Sequence, residues 1–173
     1  AGAKAKTAEI DAEILDLRRK LREGGQLRAG DVLGGRYLLL ERIGRGGFAV
    51  VWRAQDREAE KGEGAEHEVA IKVLHANLAG DPSRWERFFR GARWMSELSH
   101  EAVVRVLEAH GEDEGFHYFV MEYVPGGDLK QAVLEKRLPA EQVIPVILRV
   151  CEALAVAHAR GMVHRDVKPA NIL

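Results

Sequence analysis

Three short stretches of this 173-residue chain hold residue types that can do chemistry at close spacing. The first is His164-Arg165-Asp166-Val167-Lys168-Pro169-Ala170-Asn171. A carboxylate, a lysine two residues on and an amide three beyond supply a proton acceptor for a hydroxyl, a countercharge for a phosphate and a metal ligand. Phosphoryl transfer demands chiefly positioning and charge stabilisation, and these groups offer both. As isolated residues they equally suit a solvated turn. The second stretch is Val69-Ala70-Ile71-Lys72. Strand alternation puts Ala70 and Lys72 on one face, so a small residue and a cation together form a surface for adenine and phosphate. A lysine ending an apolar triplet also suits an edge strand. The third is the loop Gly44-Arg45-Gly46-Gly47-Phe48-Ala49. Glycines let backbone N–H groups approach phosphate oxygens with no Cβ in the way, but a hairpin in need of positive φ would use them too.

The elements that must position these groups are legible in the periodicity. Tyr37 to Ile43, Val50 to Ala54 and Glu68 to Leu74 read as strands. Because the glycine loop runs into a strand rather than a helix, a dinucleotide-binding fold is excluded. Asp81 as N-cap with Pro82 at the first helical position opens a helix to about Leu98, with Trp85, Phe88, Ala92 and Met95 on its apolar face. Strands follow near Val103 to Glu108 and His117 to Tyr123. After Pro125-Gly126-Gly127 the chain reads as helical to Gly161, with Pro145 marking a helix start or a kink. Trp94 and Phe89, with Trp85 and Phe88, read as packing residues rather than a cofactor box. The loop from Arg57 to His67 reads as a solvated connection, and Gly30, Gly34 and Gly35 as a linker. Ahead of it, Ile10, Ile14, Leu17 and Leu21 make the stripe of a short amphipathic helix over residues 8–22. That stripe either packs on the following domain or docks a partner.

Composition narrows the function classes. Hydrophobic residues at 46% and charged residues at 31% describe a globular chain with a real core. With 26 Lys+Arg against 27 Asp+Glu, no basic excess exists for a nucleic-acid backbone, so nucleic acid is not expected as a partner. The single cysteine, Cys151, allows neither an intrachain disulfide nor a thiolate metal cage, and a reducing cytoplasmic setting is the expectation. No apolar run approaches the ~18 residues of a membrane span, so no membrane segment is expected in this chain. His67, His75, His100, His110 and His117 fall on different elements without metal-ligand spacing.

Taken in order, the three motifs and their intervening elements resemble the eukaryote-like serine/threonine protein kinases, in particular the bacterial members. The resemblance runs from about Tyr37 to Leu173. It implies an α+β, protein-kinase-like fold: a five-stranded antiparallel sheet with one main helix, then the first helices of a truncated helical lobe. The implied division is 1–30 for the amphipathic helix and linker, 31–124 for the small lobe to the hinge, and 125–173 for the start of the large lobe. By the same resemblance Gly44, Gly46 and Gly47 would form a lid over the phosphates of ATP, and Lys72 would hold the α- and β-phosphates. Ile43, Val51, Ala70 and Leu173 would sandwich the adenine. Met121 is similar to the gatekeeper, with Glu122 and Val124 offering backbone groups to the base. Asp166 would be the catalytic base, Lys168 a γ-phosphate contact and Asn171 a ligand to Mg2+. Lys168 points to protein serine or threonine as acceptor rather than tyrosine.

Two departures stand against a simple transfer. Counting back from Leu98-Ser99-His100, the helix glutamate that pairs with the ATP lysine in the family falls on Gly91, and Glu86 and Glu97 lie off that face. The Asp-Phe-Gly motif, which brings a principal metal ligand, is not reached by Leu173. The chain is therefore expected to be a fragment of a longer protein, inactive alone. The rival readings are a nucleotide-responsive pseudokinase or scaffold module, favoured by Gly91, and a kinase-like interaction domain that binds no nucleotide.

Overall fold

The computed structural model describes residues 27–59, 68–75, 78 and 81–173. The expected helix over 8–22 and His67 lie outside them. Nine elements follow in order: β1 (Val32–Leu33), β2 (Tyr37–Arg45), β3 (Ala49–Asp56), β4 (Glu68–Leu74), α1 (Pro82–Glu97), β5 (Val106–Asp113), β6 (Phe116–Glu122), α2 (Leu129–Leu134) and α3 (Ala140–Ala159). A 3-10 turn, Pro169–Asn171, lies near the end.

The strands form one six-stranded antiparallel sheet in the order β1-β2-β3-β4-β6-β5. The kinase-like fold expected from the sequence is the one found, with a sixth strand, β1, added at one edge. The stretch read as a linker is in fact a hairpin: Gly34 and Gly35, at φ of 58° and 68°, turn β1 back onto β2. Gly34 cannot be replaced cheaply, since a Cβ there would stand 2.6 Å from the Tyr118 hydroxyl oxygen.

Alternation gives the sheet two faces. On one, Leu33, Tyr37, Leu39, Trp52, Ala54, Val69, Ile71, Val73, Phe116, Tyr118 and Val120 form one buried cluster. On the other, α1 packs against β5 and β6. Asp81 caps α1 by accepting from the Ser83 N–H at 3.0 Å, and Pro82 sits where no intrahelical N–H bond is needed. The α1 residues that are fully buried are Phe89 and Ala92. Phe89, which the apolar stripe omitted, is the anchor: its ring centroid lies 5.1 Å from Phe88 and 4.2 Å from His110. Trp94, read as a packing residue, is instead 44% exposed, with the Arg90 guanidinium over its ring.

Other sequence readings need correction. β5 starts at Val106 rather than Val103, after a turn. The final helical stretch is two helices separated at residues 135–139, because Lys136 turns left-handed at φ 54° and Pro139 cannot continue a helix. Pro145 neither starts nor ends α3, which runs through it. The ring's missing N–H removes the bond to the Glu141 carbonyl, and both residues are exposed, so water can serve that carbonyl. By length and composition α3 is apolar enough to cross a membrane, contrary to the expectation that no segment comes near. It carries Arg149, which pairs with Glu101 and Glu152, and charges at mid-helix are costly in lipid.

Candidate functional site

Register places the cleft residues side by side. Gly44 pairs with Val51 and Val51 with Lys72; Ala70 pairs with Met121 and Lys72 with Phe119. Antiparallel partners point to the same side of a sheet, so Val51, Ala70, Lys72 and Met121 share the face opposite the main core cluster. Ala70 is buried, Val51 and Met121 are half-buried, and Ile43 is 43% exposed. The result is a shallow apolar floor ending in an ammonium group.

Lys72 is the electrostatic centre of this face. Burial pushes its pKa below the usual lysine value, and the single charge that counters this is Asp166. Its Nζ lies 5.7 Å from the Phe119 ring centroid and makes no ion pair among the described residues. A desolvated, unpaired cation of this kind is poised for an anion. At Gly91 an added Cβ would meet no atom within 4 Å, and the position is exposed. Among the described residues no carboxylate of α1 forms an ion pair with Lys72, and a side chain at position 91 would meet no steric obstacle.

The glycine loop decides between its two uses. None of Gly44, Gly46 or Gly47 has a φ in the left-handed region. An added Cβ would meet nothing within 4 Å at Gly47 and only the Ala49 carbonyl at 3.8 Å at Gly46. The turn itself does not require glycine at these positions. What the glycines preserve is open approach to the backbone, where the N–H groups of Gly47 and Phe48 donate to no acceptor among the described residues.

On the far side, the catalytic-loop candidates form one hydrogen-bonded knot. Lys168 Nζ lies 2.9 Å from Asp166 Oδ2. Asn171 Nδ2 donates to the Asp166 backbone oxygen at 2.7 Å and to its Oδ2 at 3.0 Å. The Asp166 N–H donates to His164 Nδ1 at 3.2 Å, across Arg165 at φ 62°. A non-glycine residue in that region is strained and persists only where surroundings over-determine it. The hydrogen bond from Lys168, then that from Asn171, hold the Asp166 carboxyl below its ordinary value, so it is ionised at neutral pH. Asn171 spends its amide N–H on Asp166 and keeps Oδ1 free, a hard oxygen suited to Mg2+. Among the described residues no group of three or more His, Cys, Asp or Glu could hold a metal.

Between the two sides runs the connection after β6. The Glu122 N–H is taken by the Arg105 carbonyl at 2.9 Å, and its carboxylate by the Arg105 N–H at 2.7 Å. Val124, by contrast, has neither backbone group bonded among the described residues. The Leu129 N–H donates to the Ile172 carbonyl at 2.7 Å, which ties the end of the catalytic loop, and hence Leu173, to the start of α2. Leu173 itself is 59% exposed. One residue that the motifs did not flag is His75, whose ring reaches the glycine loop; nothing in its spacing signals that contact.

A strand-borne lysine, an open glycine loop and an ionised loop aspartate are the kinds of group that phosphoryl transfer uses. The protein kinase domain model matches residues 37–173, and the chain belongs to that family. It is similar to serine/threonine-protein kinase PknB of Mycobacterium tuberculosis, 42% identical over 146 residues, covering 82% of this chain and 22% of that protein. PknB of Mycobacterium leprae is 40% identical over 146 residues, with 82% and 22% covered. Among solved structures, the Mycobacterium tuberculosis PknI kinase domain matches with a TM-score of 0.66 at 31% identity, covering 84% of this chain and 57% of that one. The chain thus spans about a fifth of the length of the curated relatives it matches.

Proposed function

We propose that the intact protein carrying this chain transfers the γ-phosphoryl group of ATP to serine or threonine hydroxyls of proteins. The observation that carries the reading is the register that sets Val51, Ala70, Lys72 and Met121 on one sheet face next to the open glycine loop, with Lys72 in no ion pair among the described residues and Asp166, remote in sequence, the one charge that counters its burial. Lys72 would take the α- and β-phosphates, with the N–H groups of the glycine loop closing over them. Ile43, Val51, Ala70, Met121 and Leu173 would enclose the adenine, and Val124 would offer its free backbone groups to the base. The ionised Asp166 would orient the acceptor hydroxyl and take its proton, and Lys168 would move from Asp166 to the transferring phosphate. Bound Mg2+ would neutralise phosphate charge, with Asn171 Oδ1 as one ligand. Residues 31–124 would form the small lobe and 125–173 the beginning of the large one, working in the cytoplasm.

This chain alone would be inactive, since it matches only 57% of a solved kinase domain. Phosphotransfer by the intact protein to a generic Ser/Thr protein, lost on Asp166→Asn, is the expected result. Transfer that survives Asp166→Asn would overturn the reading. The pseudokinase alternative rests on Gly91; it predicts ATP binding with no transfer.

A further inference from the structure

His75 follows the last residue of β4 and reaches the glycine loop twice. Its backbone N–H donates to the Phe48 carbonyl at 3.0 Å, and its ring Nε2 lies 2.9 Å from the Gly46 carbonyl oxygen. A carbonyl can only accept, so Nε2 carries the hydrogen and the tautomer is fixed. The two bonds fall on either side of Gly47. The Gly46 N–H donates to Ala49 at 2.9 Å and closes the turn between them. Three hydrogen bonds thus pin the carbonyls of Gly46, Phe48 and Ala49, while the N–H groups of Gly47 and Phe48 are left without protein acceptors among the described residues. A loop rich in glycine has many competing conformations in the absence of such ties. The backbone bond of residue 75 is available to any side chain; the ring bond is specific to histidine or a mimic.

We propose that His75 is a positioning residue for the nucleotide: its imidazole clamps the glycine loop in the shape in which the Gly47 and Phe48 N–H groups meet phosphate oxygens. The clamp rests on the reading of this cleft as an ATP site. It acts on phosphate and not on the base, because both of its hydrogen bonds fall on the loop tip, at Gly46 and Phe48.

The test compares His75→Ala, His75→Gln and the unaltered intact protein by calorimetric titration with ATP–Mg and, separately, with adenosine. Glutamine places a donor N–H at nearly the reach of imidazole Nε2; alanine has none. Loss of one hydrogen bond is worth about two- to twelvefold in affinity. The alanine variant is expected to bind ATP weaker by that factor, the glutamine variant to recover to within about twofold, and adenosine affinity to stay equal in all three. Equal ATP affinity of the alanine variant overturns the clamp, as does an adenosine loss that tracks the ATP loss, or a failure of glutamine to rescue. An unaltered protein that binds adenosine and ATP not at all overturns the ATP reading together with the clamp; one that binds both while alanine changes nothing overturns the clamp alone.

Discussion

The sheet with α1 and the helical stretch after residue 124 are built on opposite terms. Of the buried hydrophobic residues, all but Ala157 lie between Leu33 and Val120. The helical stretch instead exposes Val133, Leu134, Val143, Ile144, Ile147 and Leu148. The first region satisfies its own apolar pattern, with both faces of β4 covered so that Val69, Ala70, Ile71, Val73 and Leu74 are all buried. The second presents an apolar helix face that nothing among the described residues covers. The proposed site straddles the two: Lys72 and the glycine loop come from the self-sufficient part, Asp166 and Asn171 from the other. The residues of the proposed nucleotide surface thus sit on a packed sheet, whereas Asp166 and Asn171 follow helices whose apolar face is open among the described residues.

The sharpest way to break this contrast is to cut the same kind of group from each region. Phe89→Ala is expected to cost about 3–5 kcal/mol in a denaturant melt, as a fully buried aromatic. Ile144→Ala in this chain should change stability by less than about 0.5 kcal/mol, since Ile144 is 69% exposed. Similar losses at both would erase the distinction.

A smaller effect sharpens it from the polar side. Asp56 is nearly buried and accepts from Arg36 Nε at 2.7 Å and Nη2 at 2.6 Å, joining the β1–β2 turn to the end of β3. The Arg36 hydrogen bond holds the Asp56 carboxyl below its ordinary value. A depressed carboxyl stabilises the fold above its unfolded pKa of ~3.9 and loses that contribution as pH falls through the folded value. Asp56→Asn is therefore expected to cost about 1 kcal/mol at pH 7, discounted because Arg36 is partly exposed. The gap between the two proteins should narrow in melts as pH falls below the unfolded value and through the folded one. A gap that widens on acidification would contradict the pairing.

The smallest shift belongs to α1. Gly91→Ala should stabilise by up to about 1 kcal/mol, because the glycine is mid-helix, exposed and free of steric neighbours. Gly91→Glu should stabilise more than alanine if position 91 faces Lys72. Thermal melts in which glutamate gains no more than alanine would show that it does not.

How far the sequence foretold this molecule depends on whether a signal was local. β4 was read at its full extent because an alternating apolar run bounded by polar residues has a single register. α1 was legible from Asp81-Pro82, a cap with a stereochemical cause. Its inner face was not, because Phe88 and Phe89 are adjacent and periodicity alone does not choose between them; the ring of His110 on β5 does. β1 was missed because two residues show no period. The break between α2 and α3 was missed because apolar residues continue through it, and the turn is made by Lys136, which carries no turn signature. In the site, residue types and order gave the motifs, whereas the lone charge of Asp166 on Lys72 and the reach of His75 are tertiary facts with no local trace.

The account centres on a nucleotide cleft whose cation is Lys72. Burial lowers the Lys72 pKa, so the folded protein carries a charged-lysine penalty in full at neutral pH and below, relieved as pH rises from the folded toward the unfolded value of ~10.4. Lys72→Met should therefore melt at a higher temperature than the unaltered protein at pH 7 while binding nucleotide worse. The direct measurement is calorimetric titration of ATP–Mg into the intact protein and its Lys72→Met variant. The account predicts at least about a tenfold loss of affinity in the variant, from one charge-assisted contact of roughly 1.5–3 kcal/mol. Equal affinity for the two proteins would remove Lys72 from the site and contradict the account.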